Sequence, residues 1–259
     1  MNGADRIAQA FSTSGKRAAL MPYLMGGFPD QETSLRIAEA YAEGGADLVE
    51  LGVPFSDPLA DGPVIHAAGT KALAAGATVE RIFELCAAIS PRLPVVVMCY
   101  ANLVVVRSPE GFADALRDAG ASGLIVPDLP LDEAPAVLEA CDARGLALVP
   151  LVAPTTPDER LAAIGRRARG FLYTVSVTGT TGERQAVDAS ATIARAKRHT
   201  DVPVALGFGI GTPEQASDAA DAGADGVIVG SRLVREAEEA SDPAAAVGAV
   251  VTAMAEALR

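Results

Sequence analysis

Eight short apolar runs, separated by helical stretches along almost the whole chain, restrict this sequence to few folds. The runs cover 19–25, 47–52, 95–100, 123–126, 147–152, 170–176, 202–207 and 226–229. Most are apolar at consecutive positions, as parallel strands covered on both faces should be. The segments between them, around 31–43, 79–89, 109–118, 132–144, 157–167, 189–199, 213–222 and 243–258, are rich in Ala, Glu and Arg and predict helices. Strands joined by helices imply right-handed crossovers and a parallel sheet. Eight such units favour a single (β/α)8 TIM barrel over an open doubly wound sheet, and 259 residues is the usual size of one.

A weak internal repeat supports this reading. GGADLVELG, AGASGLIVP and AGADGVIVG each place a glycine (Gly45, Gly120, Gly223) after a helix and then launch a strand. Glycine there permits the left-handed conformation that ends a helix. An extra N-terminal helix is expected, with Ile7, Ala10 and Phe11 on one face. No linker or low-complexity segment interrupts the chain, so residues 1–259 read as one domain. Long loops are expected after strand two (54–77) and strand six (177–188), at the strand ends where barrel enzymes keep their active sites.

Composition narrows the function classes. A formal net charge of −12 argues against nucleic acid and anionic membrane surfaces as partners. His66 and His199 are far apart, and Cys86, Cys99 and Cys141 form no CxxC pair, so neither a zinc site nor a disulfide framework is expected. Reduced core thiols fit a cytoplasmic protein. The most apolar stretch, 93–106, is interrupted by Pro94 and Asn102, and the N-terminus lacks the cationic start of a secretory signal.

After the seventh strand comes GFGIGTPEQA, where Thr212 suits an N-cap, Pro213 the first helical position and Gln215 a capping box. Gly207, Gly209 and Gly211 bare the backbone ahead of that helix, and Gly230 and Ser231 open another after the eighth strand. Loops at these two barrel positions, beside helix N-termini, form the recurrent phosphate site of this fold. Turn glycines and a helix cap are the plainer alternative. The negative net charge would repel a phosphate at long range, so local amides must hold it, with Arg232 either assisting or facing solvent.

Glu50 lies inside the second apolar strand, where a carboxylate is costly unless paired or used. Alternation puts it with Leu48, opposite Val49 and Leu51; facing inward, it would enter the barrel mouth with a raised pKa suited to acid–base work. A structural hydrogen bond would explain it less sharply. Asp57 precedes Pro58 and Asp61 precedes Gly62, so turn formation accounts for each as readily as chemistry does.

The segments ELGVPFSDPLADGPVI, MCYANLV, LYTVSVTGTTGER, GFGIGTPEQ and GVIVGSRLV, in this order, resemble the successive signatures of the tryptophan synthase alpha subunit family. The resemblance implies retro-aldol cleavage of indole-3-glycerol phosphate to indole and glyceraldehyde 3-phosphate, with no cofactor or metal. It implies that Glu50 protonates indole C3 and then accepts the glycerol hydroxyl proton, while an ionised Asp61 accepts a hydrogen bond from the indole N–H. Tyr173 would line the site near Glu50, Phe208 would lie against the indole, and Thr181 would meet Asp61 as the sixth loop closes. Gly182, Gly209, Gly230 and Ser231 would bind the phosphate. For Tyr173 and Phe208, ordinary packing at the barrel top is an equal alternative.

The same resemblance implies a pyridoxal-phosphate-bearing beta subunit as partner in an alpha2beta2 assembly, near Asp57, Pro58 and residues 100–102. Two positions depart from some members: Val177 replaces an arginine, and Phe28 an acidic residue, which bears on loop closure and coupling. The competing readings are a free-standing lyase, a non-catalytic activating subunit, and another phosphate-binding barrel. Both carboxylates speak against the second, and the loop after strand two against the third.

Overall fold

The computed structural model describes residues 1–175, 189–207 and 209–259. Its parallel strands are β1 (Ala19–Met25), β2 (Val49–Gly52), β3 (Val95–Met98), β4 (Gly123–Ile125) and β5 (Ala147–Val149). They continue as β6 (Leu151–Val152), β7 (Leu172–Val175), β8 (Val204–Gly207) and β9 (Gly226–Val229). The order β5-β4-β3-β2-β1-β9-β8-β7-β6 brings the two ends of the sheet to consecutive segments of chain, so the sheet is a nearly closed TIM barrel.

One expected strand is two. The run 147–152 divides at Pro150, which has no N–H to offer the ladder but whose carbonyl still accepts from Tyr173 N–H at 3.0 Å. Residues 54–77 are also not one loop: helix Pro63–Ala74 occupies their second half, with Pro63 at its start. The short helix Ala101–Val106 was not expected either; it begins directly after residues 95–100, the expected third strand, of which β3 keeps Val95–Met98.

Alternation along the strands divides the core. Ala19, Met21, Leu48, Val96, Ile125, Ala147, Val149, Phe171, Ala205 and Ile228 fill the barrel interior, whereas Val49 and Leu51 pack outward against the helices. Helix Gly3–Thr13 closes the N-terminal end, as its apolar face predicts. Its Ile7 is fully buried, and the ring of Phe11 lies 5.7 Å from that of Phe171. Arg6 reaches from this helix to the backbone oxygens of Gly120 and Ser90.

The three repeats differ in one useful way. Gly45, Gly120 and Gly223 all have positive φ (93°, 76° and 96°), so each needs glycine. Two residues later, Asp47 accepts from Leu20 N–H at 2.7 Å and from Lys16 at 2.9 Å. Asp225 likewise accepts from Val204 N–H at 2.9 Å and Lys197 at 2.7 Å. Each carboxylate thus pins the start of a neighbouring strand. The third repeat has Ser122, whose buried Oγ finds no partner among the described residues.

Candidate active site

Glu50 is the only charged residue in the buried core of the described structure, 1 % exposed, and shares the inward face with Leu48 as alternation predicts. Its Oε2 has no hydrogen-bond partner among the described residues. Burial first, and the nearby Asp61 second, push its pKa up to about 8. It is therefore a protonated acid at neutral pH.

Asp61 lies in the loop after β2 and accepts a hydrogen bond from the Tyr100 hydroxyl at 2.9 Å. That hydroxyl accepts from Ala60 N–H at 3.0 Å, which commits its single proton to Asp61 Oδ1. Burial outweighs the rest and leaves the Asp61 pKa raised, although the Tyr100 hydrogen bond and nearby His66 pull it down. The two carboxyls thus share a site in which Glu50 is driven to the neutral form and Asp61 keeps groups that favour its charge.

A cavity of about 270 Å³ opens at the C-terminal ends of the strands, and Glu50, Asp61, Tyr23 and Tyr173 line it. Tyr23 on β1 is the register partner of Glu50 on β2. Glycines make room for the two rings: a Cβ at Gly52 would stand 2.0 Å from the Tyr23 hydroxyl, and one at Gly207 2.4 Å from that of Tyr173. Met98, Ile65 and Ile228 supply apolar wall.

Gly209, Gly211, Gly230 and Ser231 line the same cavity, with Arg232 and Arg235. Thr212 and Gln215 form the expected capping box before helix Pro213–Asp221. Gln215 Oε1 also accepts from Gly211 N–H at 2.8 Å and Thr212 N–H at 3.2 Å, so those two amides are occupied. Helix Ser231–Glu239, by contrast, has Gly230 at its N-cap and no side-chain cap. Its first amides are the better placed for an anion, a distinction the glycine spacing did not reveal. Arg232 pairs with Glu236 one turn on.

Glu50, Asp61, Tyr173, Gly209, Gly230 and Ser231 are therefore brought to one cavity. Thr181, Gly182, Phe208 and Val177 lie outside the described residues. Asp57 is exposed, takes a hydrogen bond from Ser56 Oγ at 2.6 Å and does not line the cavity. Phe28 is buried, and its carbonyl accepts from Ser34 Oγ. Tyr23 and Arg235 were missed; for Tyr23 the signal was its place on the inward alternation Ala19, Met21, Tyr23. Among the described residues no group of His, Cys, Asp and Glu is arranged to hold a metal, and no helix is long and apolar enough to cross a membrane.

Residues 10–259 match the family described as tryptophan synthase alpha chain. The chain belongs to that family. The tryptophan synthase alpha chain of Methanosarcina mazei is 48% identical over 227 residues, covering 88% of this chain and 84% of the relative. That of Prochlorococcus marinus is 48% identical over 223 residues, covering 85% and 81%. In three dimensions the chain is similar to a structure of Mycobacterium tuberculosis tryptophan synthase, with TM-score 0.91, 39% identity and 98% of each chain covered. It is also similar to a chain of a tryptophan synthase complex from Pyrococcus furiosus, with TM-score 0.86 and 33% identity over 92% of this chain and 98% of that one. As a tryptophan synthase alpha chain the protein is a carbon–carbon lyase, cleaving indole-3-glycerol phosphate.

Proposed function

We propose that Glu50 and Asp61 carry the retro-aldol chemistry of this lyase, and that the glycine loops lining the same cavity hold the substrate phosphate. The observation that carries the reading is the buried Glu50, with Oε2 unpartnered and its proton retained to about pH 8, beside an Asp61 whose Oδ1 is committed to Tyr100. Glu50 gives its proton to indole C3, converting the ring to an indolenine-like cation. Asp61 Oδ2 accepts the indole N–H and offsets that charge. The Glu50 carboxylate then takes the proton of the glycerol hydroxyl next to the ring. As the C–C bond breaks, its electrons return to the ring, releasing indole and glyceraldehyde 3-phosphate and leaving Glu50 protonated. Tyr173 lines the site beside Glu50. Thr181, Gly182 and Phe208, outside the described residues, keep the closing, phosphate and indole-stacking roles that the family motifs assign.

Gly230 and Ser231 open an uncapped helix whose free amides and dipole favour a dianion, with Gly209, at φ 81°, bringing the backbone close. Gly230→Asp is expected to weaken binding of glycerol phosphate, a non-reacting fragment, by about tenfold or more, because it sets a carboxylate against the phosphate. Titration of both proteins by calorimetry reads this directly, and equal affinities would remove Gly230 from the phosphate site.

We infer that the partner is a tryptophan synthase beta subunit and that the working assembly is alpha2beta2. Three exposed apolar side chains at the same end of the barrel support this: Leu59, 87 % exposed, after β2, and Val105 and Val106, 69 % and 74 % exposed, after β3. They adjoin Asp57, Pro58 and residues 100–102. The test is indole release with and without a cognate beta subunit. A large increase on mixing supports a synthase subunit, whereas fast release alone that the partner leaves unchanged would favour a free-standing lyase.

A further inference from the structure

Tyr23 is a polar group inside the cavity to which the chemistry above gives no task. It is 6 % exposed and, among the described residues, its hydroxyl reaches only the Met25 sulfur, at 3.9 Å, a poor acceptor. Its backbone is fixed, because the Tyr41 hydroxyl donates to the Tyr23 carbonyl at 3.0 Å. Register places it beside Glu50 on the next strand, and both side chains line the same cavity. The bare Gly52 beneath the hydroxyl leaves it room.

Glu50 needs no donor while it holds its proton. Once that proton passes to the substrate, an anion remains at a site where Oε2 has no partner. A buried carboxylate without a donor is costly. We propose that Tyr23 is a positioning residue acting through Glu50: its hydroxyl turns from the Met25 sulfur and donates a hydrogen bond to the Glu50 carboxylate formed by proton transfer. The phenolic proton stays on Tyr23 throughout, and the bond is released when Glu50 is reprotonated.

The surroundings leave few other candidates. Tyr173 faces Glu50 from β7, and Asp61, bonded to Tyr100, faces it from the loop after β2. The neighbouring β3 offers only Val96 and Met98. Arg232 and Arg235 lie in the same cavity on helix Ser231–Glu239, with Arg232 held by Glu236. Burial keeps the Tyr23 phenol protonated, so its O–H stays available as a donor.

This inference rests on the functional reading above, and the experiment separates the two. Indole release is measured across pH for the parent chain, Tyr23→Phe and Glu50→Gln, each with its beta subunit. Phe keeps the ring and removes only the donor. The expected result for Tyr23→Phe is a kcat about tenfold lower with KM within about twofold, since a hydrogen bond to a charged group is lost. The alkaline limb of its profile should move up by about one pH unit, because the carboxylate form of Glu50 has lost a stabilising donor. A Phe variant with parental kcat and pH limb, or a loss confined to KM, overturns the proposal alone. An inactive parent, or an active Glu50→Gln variant, overturns the functional reading and this proposal with it.

Discussion

Replacing Glu50 by Gln is expected to cut indole release from indole-3-glycerol phosphate by about a thousandfold, the scale of a general acid–base group. Gln keeps the shape of the side chain but can neither give a proton to C3 nor take one from the glycerol hydroxyl. The same change should stabilise the fold. A folded pKa near 8, against an ordinary value of 4.5, means the folded chain holds a proton that the unfolded chain releases between those values. The parent therefore loses stability as pH rises through that window, and Gln does not. The variant should melt above the parent, by a margin that widens toward pH 8 and is constant beyond it. Calorimetric melting beside indole release checks both halves; a variant that keeps most of its activity refutes the acid–base assignment.

Asp61→Asn is expected to lower kcat by about a hundredfold, with smaller changes in binding, because its partner develops charge only as the reaction proceeds. The geometry explains why an amide fails. Tyr100 accepts from Ala60 and must donate to residue 61, so an Asn would turn its carbonyl toward Tyr100 and its NH2 toward the substrate. A donor would then face the indole N–H. Steady-state kinetics at matched stability reads the loss, and an unchanged kcat would mean that Asp61 does not meet the developing cation. Tyr100→Phe frees the amide to rotate, so in the Asn background it should restore part of the activity.

Much of this site was legible because strand alternation is strict. Leu48 and Glu50 share a face, opposite Val49 and Leu51, and one buried acid on that face of a barrel strand leads to the mouth. The capping box of Thr212 and Gln215 was equally readable, because it depends on residues three apart. Its consequence was not: only the structure reveals that Gln215 uses the Gly211 and Thr212 amides, which leaves the helix start at Gly230 and Ser231 as the uncapped one. The break at Pro150 was visible as a proline, yet an unbroken apolar run around it concealed the two short strands. Helix Pro63–Ala74 escaped notice because glycines and prolines before it read as loop, and its buried face consists of Ala68, Gly69 and Ala72, which give little periodic contrast. Tyr23 was hidden for a related reason: an aromatic residue in an apolar strand looks like core until its neighbour across the sheet is known to be Glu50.

The most direct measurement is the pH dependence of kcat/KM for indole release by the chain with its beta subunit, from about pH 6 to about pH 10. A Glu50 that must begin the reaction protonated predicts a fall in activity as pH rises through about 8. A profile that is flat through that range, or one that rises, would contradict the claim that a buried, protonated Glu50 opens the reaction.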